Sequence, residues 1–205
     1  MEDVLDLYAE PSEPQYPVGC FDESPDQLVS EVRQPLPVRP GQPARYDDAY
    51  RREGACTLCM FFEPLQGWRH VNVTDRRTAQ DFAYCRQDLV DVHCPQATVI
   101  SGVLDHLNTH PPAALYATFP PAEACRILRT LDFPYTPKHG SWLNMAAIEL
   151  AVVSTPCLDR RLGNQETVRR AVAAWETQRN AAKATVAWRL TTAKARRKLK
   201  HIYPL

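Results

Sequence analysis

Two hydrophobic periods alternate along the chain. In YPVGCFDE (16–23) apolar side chains fill successive positions: Val18, Cys20 and Asp22 share one face, Gly19 and Phe21 the other. Apolar character on both faces predicts a strand buried between two layers, here ending in a carboxylate. CTLCMFFEP (56–64) is a second apolar run, EPLQG a Pro/Gly turn and WRHVNV (68–73) the return, together an antiparallel hairpin. ATVISGVLD (97–105) repeats the first pattern and closes on Asp105.

Elsewhere the period is helical. Thr78 with Asp81 three residues later is an N-cap signal, and Phe82, Cys85, Leu89 and Val92 follow as one stripe. Pro120 and Pro121 open a helix with Ala124, Ile127, Leu128 and Leu131 inward. FPYTP (133–137) reads as a short strand, and Ser141 as the cap of a helix reaching about Val153. Val168, Val172 and Trp175 mark one further helix with its Arg pairs outward, and a basic helical stretch ends the chain. Three prolines in 11–17 and four in 35–43 mark extended or looping segments. Strands alternating with helices, without repeats or a long linker, predict one α/β fold: a mixed sheet with helices on its faces.

The composition, 44% hydrophobic and 23% charged over 205 residues, is that of a folded chain with a sizeable core and excludes disorder as the main state. No apolar run reaches the roughly 18 residues of a membrane span, and the acidic first ten residues lack the pattern of a secretory signal, which predicts a cytoplasmic protein. Net charge is zero, but it is not evenly spread. Residues 1–50 carry −8, residues 51–158 carry −1 and residues 159–205 carry +9. A basic block containing Arg196, Arg197, Lys198 and Lys200 predicts contact with phosphates; alternatively it folds back on the acidic first 50 residues.

Seven cysteines without a regular framework predict reduced thiols. Cys56 and Cys59 form a C-x-x-C, but in a strand an odd separation sends the two thiols to opposite faces, which argues against zinc. A Gly-rich phosphate loop and a nucleophile elbow are both missing from the sequence.

The chemistry therefore centres on Asp22 and Asp105. Each ends a strand buried on both faces, where an uncompensated carboxylate costs several kcal/mol by order of magnitude. If the strands are parallel neighbours, both carboxylates emerge at the edge where open α/β sheets bind ligands, and two hard oxygens there suit Mg²⁺. His106, Asn108 and His110 follow Asp105 closely enough to orient a phosphate or a water.

Longer motifs carry a resemblance. VGCFDESPDQLVSEVRQPLPVRPGQPARYD, CMFFEPLQGWRHVNVTDRRTAQDFA, VLDHLNTHPPAALYATFPP and YTPKHGSWLNMAAIEL resemble the catalytic domain of bacterial insertion-sequence transposases related to the mariner group, nearly end to end. The resemblance places the chain among the DDE transposases and implies a ribonuclease H-like core, a mixed five-stranded sheet flanked by helices. It implies metal-dependent cleavage and strand transfer of DNA, with two Mg²⁺ (or Mn²⁺) ions about 3.5–4 Å apart held by three carboxylates. Asp22 matches the first carboxylate and Asp105 the second.

The third departs from the pattern. The family's catalytic Glu falls three residues after the Asn, which is Ala147 here, and Glu149 matches a second, more variable Glu. On a helix, positions 147 and 149 lie about 200° apart, so Glu149 points nearly away from where the ligand belongs. The stripe of Leu143, Ala147 and Leu150 turns position 147 inward. Two outcomes follow: an impaired DDE enzyme, or a remnant that only binds DNA or a partner. Residues 1–15 read as a lead-in, 16–158 as the catalytic core and 159–205 as basic helices packed on it. The family's helix-turn-helix segments are expected upstream, so an N-terminally truncated copy, paired with itself or with a separately encoded helix-turn-helix half, is the expected form. DNA, as transposon ends and target, is the expected partner, and no membrane is involved.

Overall fold

A computed structural model describes residues 1–105 and 111–200. In chain order it contains α1 (Glu2–Leu7), β1 (Val18–Glu31), β2 (Tyr50–Glu63), β3 (Trp68–Thr74), α2 (Ala79–Asp88), β4 (Ile100–Val103) and α3 (Ala113–Thr118). It continues with α4 (Pro121–Thr130), β5 (Leu131–Asp132), α5 (Ala146–Val153), α6 (Gln165–Ala181) and α7 (Thr192–Lys198). The five strands form one sheet in the order β3-β2-β1-β4-β5. β1 and β3 run antiparallel to β2, while β4 runs parallel to both β1 and β5. This is the mixed α/β sheet flanked by helices that the sequence predicts.

Alternation along the strands builds two core layers. Cys20, Leu58, Met60, Phe62 and Val103 face α1, α5 and α6, and their layer includes Leu143, Leu150, Val168, Val172 and Trp175. Phe21, Cys59, Phe61, Ile100 and Leu104 face the other way, into a layer with Phe82, Leu115 and Ile127. Cys56 and Cys59 fall in different layers, as their spacing requires, and all seven thiols are free. Where β1 meets β4, Gly19 pairs with Gly102. A Cβ on Gly19 would lie 2.4 Å from the Phe61 ring and one on Gly102 2.7 Å from the Phe133 ring, so the glycines let two aromatics lie against the sheet.

The β3 edge is covered by side chains of α6. Asn180 accepts from Arg69 N at 2.9 Å and donates to Arg69 O at 2.8 Å; Glu176 Oε2 accepts from Val71 N at 2.9 Å. Gln165 and Arg169 both donate to Val73 O at 3.3 Å. These bonds pair every second residue of an edge that would otherwise offer open backbone groups.

Several local expectations change. Asp22 lies within β1 rather than at its end, because β1 runs on beside β2 to Glu31. β4 pairs only with Val18–Cys20, so the rest of β1 has β2 as its single neighbour; such an edge tolerates Pro25 and polar residues. Residues 32–49 close a long arm, with Val32, Leu36, Val38 and Tyr46 exposed. The Thr78–Asp81 capping box forms, but α2 loosens into a π turn at Leu89–His93 and leaves Val92 64% exposed. Leu131 belongs to β5 instead of α4, and from FPYTP only Tyr135 forms a bridge, to Leu104. Ser141 begins a 3-10 turn, and the helix proper starts at Ala146. Residues 1–15 contribute α1, whose Val4, Leu5 and Leu7 are buried in the main core with Tyr8.

Candidate active site

The β1–β4 register sets the site. Val18 pairs with Ser101 and Cys20 with Val103. The pairing stops at that step, and Asp22 and Asp105 each follow two residues later, Asp22 within β1 and Asp105 beyond the end of β4. Asp22 takes the face of Cys20, toward α5. Asp22 is half-buried and its Oδ1 accepts from Glu23 N at 2.9 Å. Cys20, directly beneath, is fully buried, and burial pushes its thiol far above the ordinary range. A neutral thiol is no competing nucleophile there.

The start of α5 is pinned against this edge. Asn144, extended at φ −79° and ψ 108°, donates through Nδ2 to Phe21 O at 2.7 Å and accepts from Ala146 N at 3.1 Å. It thus ties the helix start to the residue before Asp22 and satisfies the N–H of the first helical residue. Tyr8 adds a second tie, donating to Leu143 O at 3.0 Å and accepting from Met145 N at 3.3 Å. Neither residue is singled out by periodicity, although an Asn just before an apolar helical run is an N-cap signal that outranks Ser141.

A cleft of about 290 Å³ lies between β1 and α5, lined by Asp22, Glu23, Ser24, Ala147, Leu150, Ala151 and Ser154. Position 147 therefore faces Asp22. Ala147 is exposed in the cleft rather than packed inward, which corrects the stripe reading. Glu149 is elsewhere: it is 1% exposed, with Oε2 3.3 Å from Arg69 Nε and Oε1 accepting from Arg179 Nη2 at 2.6 Å. Arg69 is itself fully buried; burial draws its pKa below the ordinary guanidinium value, against the opposing pull of Glu149. Glu149 thus ties α5 to β3 and α6, and the structure keeps it out of the Asp22 cleft. No group of three or more His, Cys, Asp or Glu suited to a metal forms among the described residues.

Over residues 17–169 the sequence matches the family model of the DDE superfamily endonuclease. The chain belongs to that family. Its fold is similar to that of the Mos1 mariner paired-end complex with Mn (TM-score 0.57, 17% identity, covering 89% of this chain and 55% of that one). The Mos1 paired-end complex with the left transposon end gives 0.59 and 16%, again over 89% and 55%. A pre-cleavage Mos1 transpososome gives 0.51 and 14%, over 92% and 61%. The chain thus spans little more than half the length of the solved chains it matches. No curated protein matches it in sequence.

The remaining sequence-predicted groups are dispersed. His106, Asn108 and His110 lie outside the described residues. Arg196, Arg197 and Lys198 stand exposed on α7, with Lys200 just beyond. Arg196 pairs with Glu2, its Nε donating to Oε1 at 2.7 Å, and Thr192 donates to Asp6 at 2.6 Å. The basic block therefore does touch the acidic first 50 residues, Arg196 at Glu2 and Arg161 at Glu31. No helix among the described residues is long and apolar enough to cross a membrane.

Proposed function

We propose that this chain is a DDE-type phosphoryl-transfer domain acting on DNA, cleaving transposon ends and joining them to target, with its turnover limited by Ala147. The observation that carries this reading is the cleft in which position 147 faces Asp22, beside a β1–β4 pairing that leads the chain toward Asp105. Asp22 and Asp105 would form the donor set for one hard divalent cation, Mg²⁺ or Mn²⁺. Bound there, such an ion would polarise a phosphoryl oxygen and lower the pKa of a water. The family's two-ion arrangement needs a further carboxylate, and Ala147 offers none. In this proposal Asp22 and Asp105 hold the ion, Asn144 and Tyr8 fix α5 against β1, and Arg197, Lys198 and Lys200 contact the DNA backbone.

A second reading, a domain that binds DNA without cutting it, is favoured by Ala147 alone. One experiment separates the two. Mn²⁺ titration by calorimetry is run beside cleavage of terminal-repeat DNA for the native chain, Asp22→Ala and Ala147→Glu. Weak Mn²⁺ binding lost in Asp22→Ala, and cleavage that rises at least tenfold in Ala147→Glu, are expected. Native cleavage indistinguishable from Asp22→Ala leaves binding alone, and Mn²⁺ binding unchanged in Asp22→Ala removes the site.

A further inference from the structure

The outer side of α5 carries a second depression that the Asp22 cleft does not use. A groove of about 690 Å³ is lined by Trp142, Asn144, Ala147, Ile148, Ala151, Val152 and Thr155. Trp142 is 49% and Ile148 41% exposed, so both present apolar surface to solvent. The groove shares Ala147 and Ala151 with the cleft, so one surface runs from Asp22 across α5 to the Trp142 ring.

Its chemistry selects an occupant. The lining has no charged side chain, which suits neither a phosphate nor a metal. Its two polar members are turned onto the protein: Asn144 bonds Phe21 O and Ala146 N, and Thr155 donates to Ala151 O at 3.2 Å. A flat aromatic with an aliphatic wall and committed hydrogen-bonding groups is suited to the face of a planar ring, read without regard to its edge. A reacting phosphate at Asp22 brings its own nucleotide's base within one sugar's reach, and the volume exceeds what a single base needs.

Resting on the phosphoryl-transfer reading above, we infer that the Trp142 groove receives an unpaired nucleobase adjoining the phosphate held at Asp22, and holds it by stacking. A base inside an intact duplex is already stacked, so the groove favours frayed or overhanging DNA ends, with little preference for sequence.

The test uses the full chain with Ca²⁺ in place of Mg²⁺ or Mn²⁺, a hard cation that carboxylates bind and that does not support cleavage, which separates binding from cleavage. Affinities are measured for a blunt duplex and for the same duplex with a short 3′ overhang, the overhang carrying 2-aminopurine in one arm and an abasic nucleotide in another. The native chain should prefer the overhang by roughly tenfold, the usual scale of one base–aromatic stack. Trp142→Ala or the abasic nucleotide should abolish that preference, while Trp142→Phe keeps most of it and still quenches 2-aminopurine. Trp142→Ala should leave blunt-duplex affinity unchanged. Equal affinity of the native chain for both duplexes, or equal loss on both in Trp142→Ala, overturns the inference and leaves the phosphoryl-transfer reading standing. Failure of the native chain to bind either duplex overturns both. Light scattering that shows a dimer turned to monomer by Trp142→Ala assigns the groove to a second copy and overturns the inference alone.

Discussion

Replacing Glu149 separates a structural carboxylate from a metal ligand. In Glu149→Ala, Arg69 keeps its position with no exposed surface and loses the carboxylate 3.3 Å from its Nε, and Arg179 loses its 2.6 Å acceptor. Removing one partner of a buried pair strands the other charge, which costs about 3–5 kcal/mol. Each kcal/mol shifts the midpoint of a chain this size by about 2–4 °C, so Tm should fall by roughly 6–20 °C. Glu149→Gln keeps the shape and some of the hydrogen bonding, and should fall between. The assay is thermal unfolding followed by circular dichroism, with Mn²⁺ titration of each folded variant below its transition. A Tm within about 2 °C of the native protein refutes the reasoning. So does loss of Mn²⁺ affinity at unchanged Tm, which would make Glu149 a ligand reached by a turn of α5.

Three further outcomes are expected. Glu176 sits 3.1 Å from His70 Nδ1; burial opposes the charge of His70, but the hydrogen bond and charge of Glu176 outweigh it and raise its pKa above the ordinary 6.5. Stability from that pair is fully present below 6.5 and lost as pH rises through the raised value. The gap in Tm between native protein and Glu176→Gln should therefore be wider near pH 5.5 than near pH 9; His93, whose pKa burial and His70 lower, and Asp88 are common to both proteins. Neutralising Arg197, Lys198 and Lys200 should make the dependence of DNA affinity on log salt about 2–3 shallower, read by fluorescence anisotropy across a salt series, whereas Arg196→Ala should change it less because Glu2 already holds that side chain. Gly67→Ala should lower denaturant stability by more than about 1 kcal/mol, since φ is +64° and the new Cβ would meet the Lys183 backbone at 2.5 Å.

How far the sequence could be read varied with the physics behind each signal. Burial on both faces is written into side-chain polarity, so the strands around Cys20, Met60 and Val103 were legible. Helix geometry alone indicated that Glu149 points away from position 147, and the structure supplies the reason in Arg69 and Arg179. Those arginines come from β3 and α6, a contact that no local pattern encodes. The second half of β1 was missed because ESPDQ has the polarity of a turn. It is a strand there only because β2 lies beside it, and its exposure on the other side lets polar residues stand. The start of α5 lies four residues later than Ser141 suggests, because Asn144 holds the segment before it by a bond to Phe21, more than a hundred positions away.

The side chains that α6 lays along β3 carry a consequence for how the molecule fails. On the opposite side the sheet ends in β5, two residues long, and in the second half of β1, where Pro25 and the acidic Asp22, Glu23 and Asp26 discourage pairing. The native sheet thus offers little for a stray chain to extend. Detachment of α6 would strip Asn180, Glu176, Gln165 and Arg169 from the edge at once and uncover a continuous seven-residue strand. Aggregation on heating should therefore track loosening of α6 rather than global unfolding, and substitutions at Asn180 should shorten shelf life more than their effect on Tm suggests.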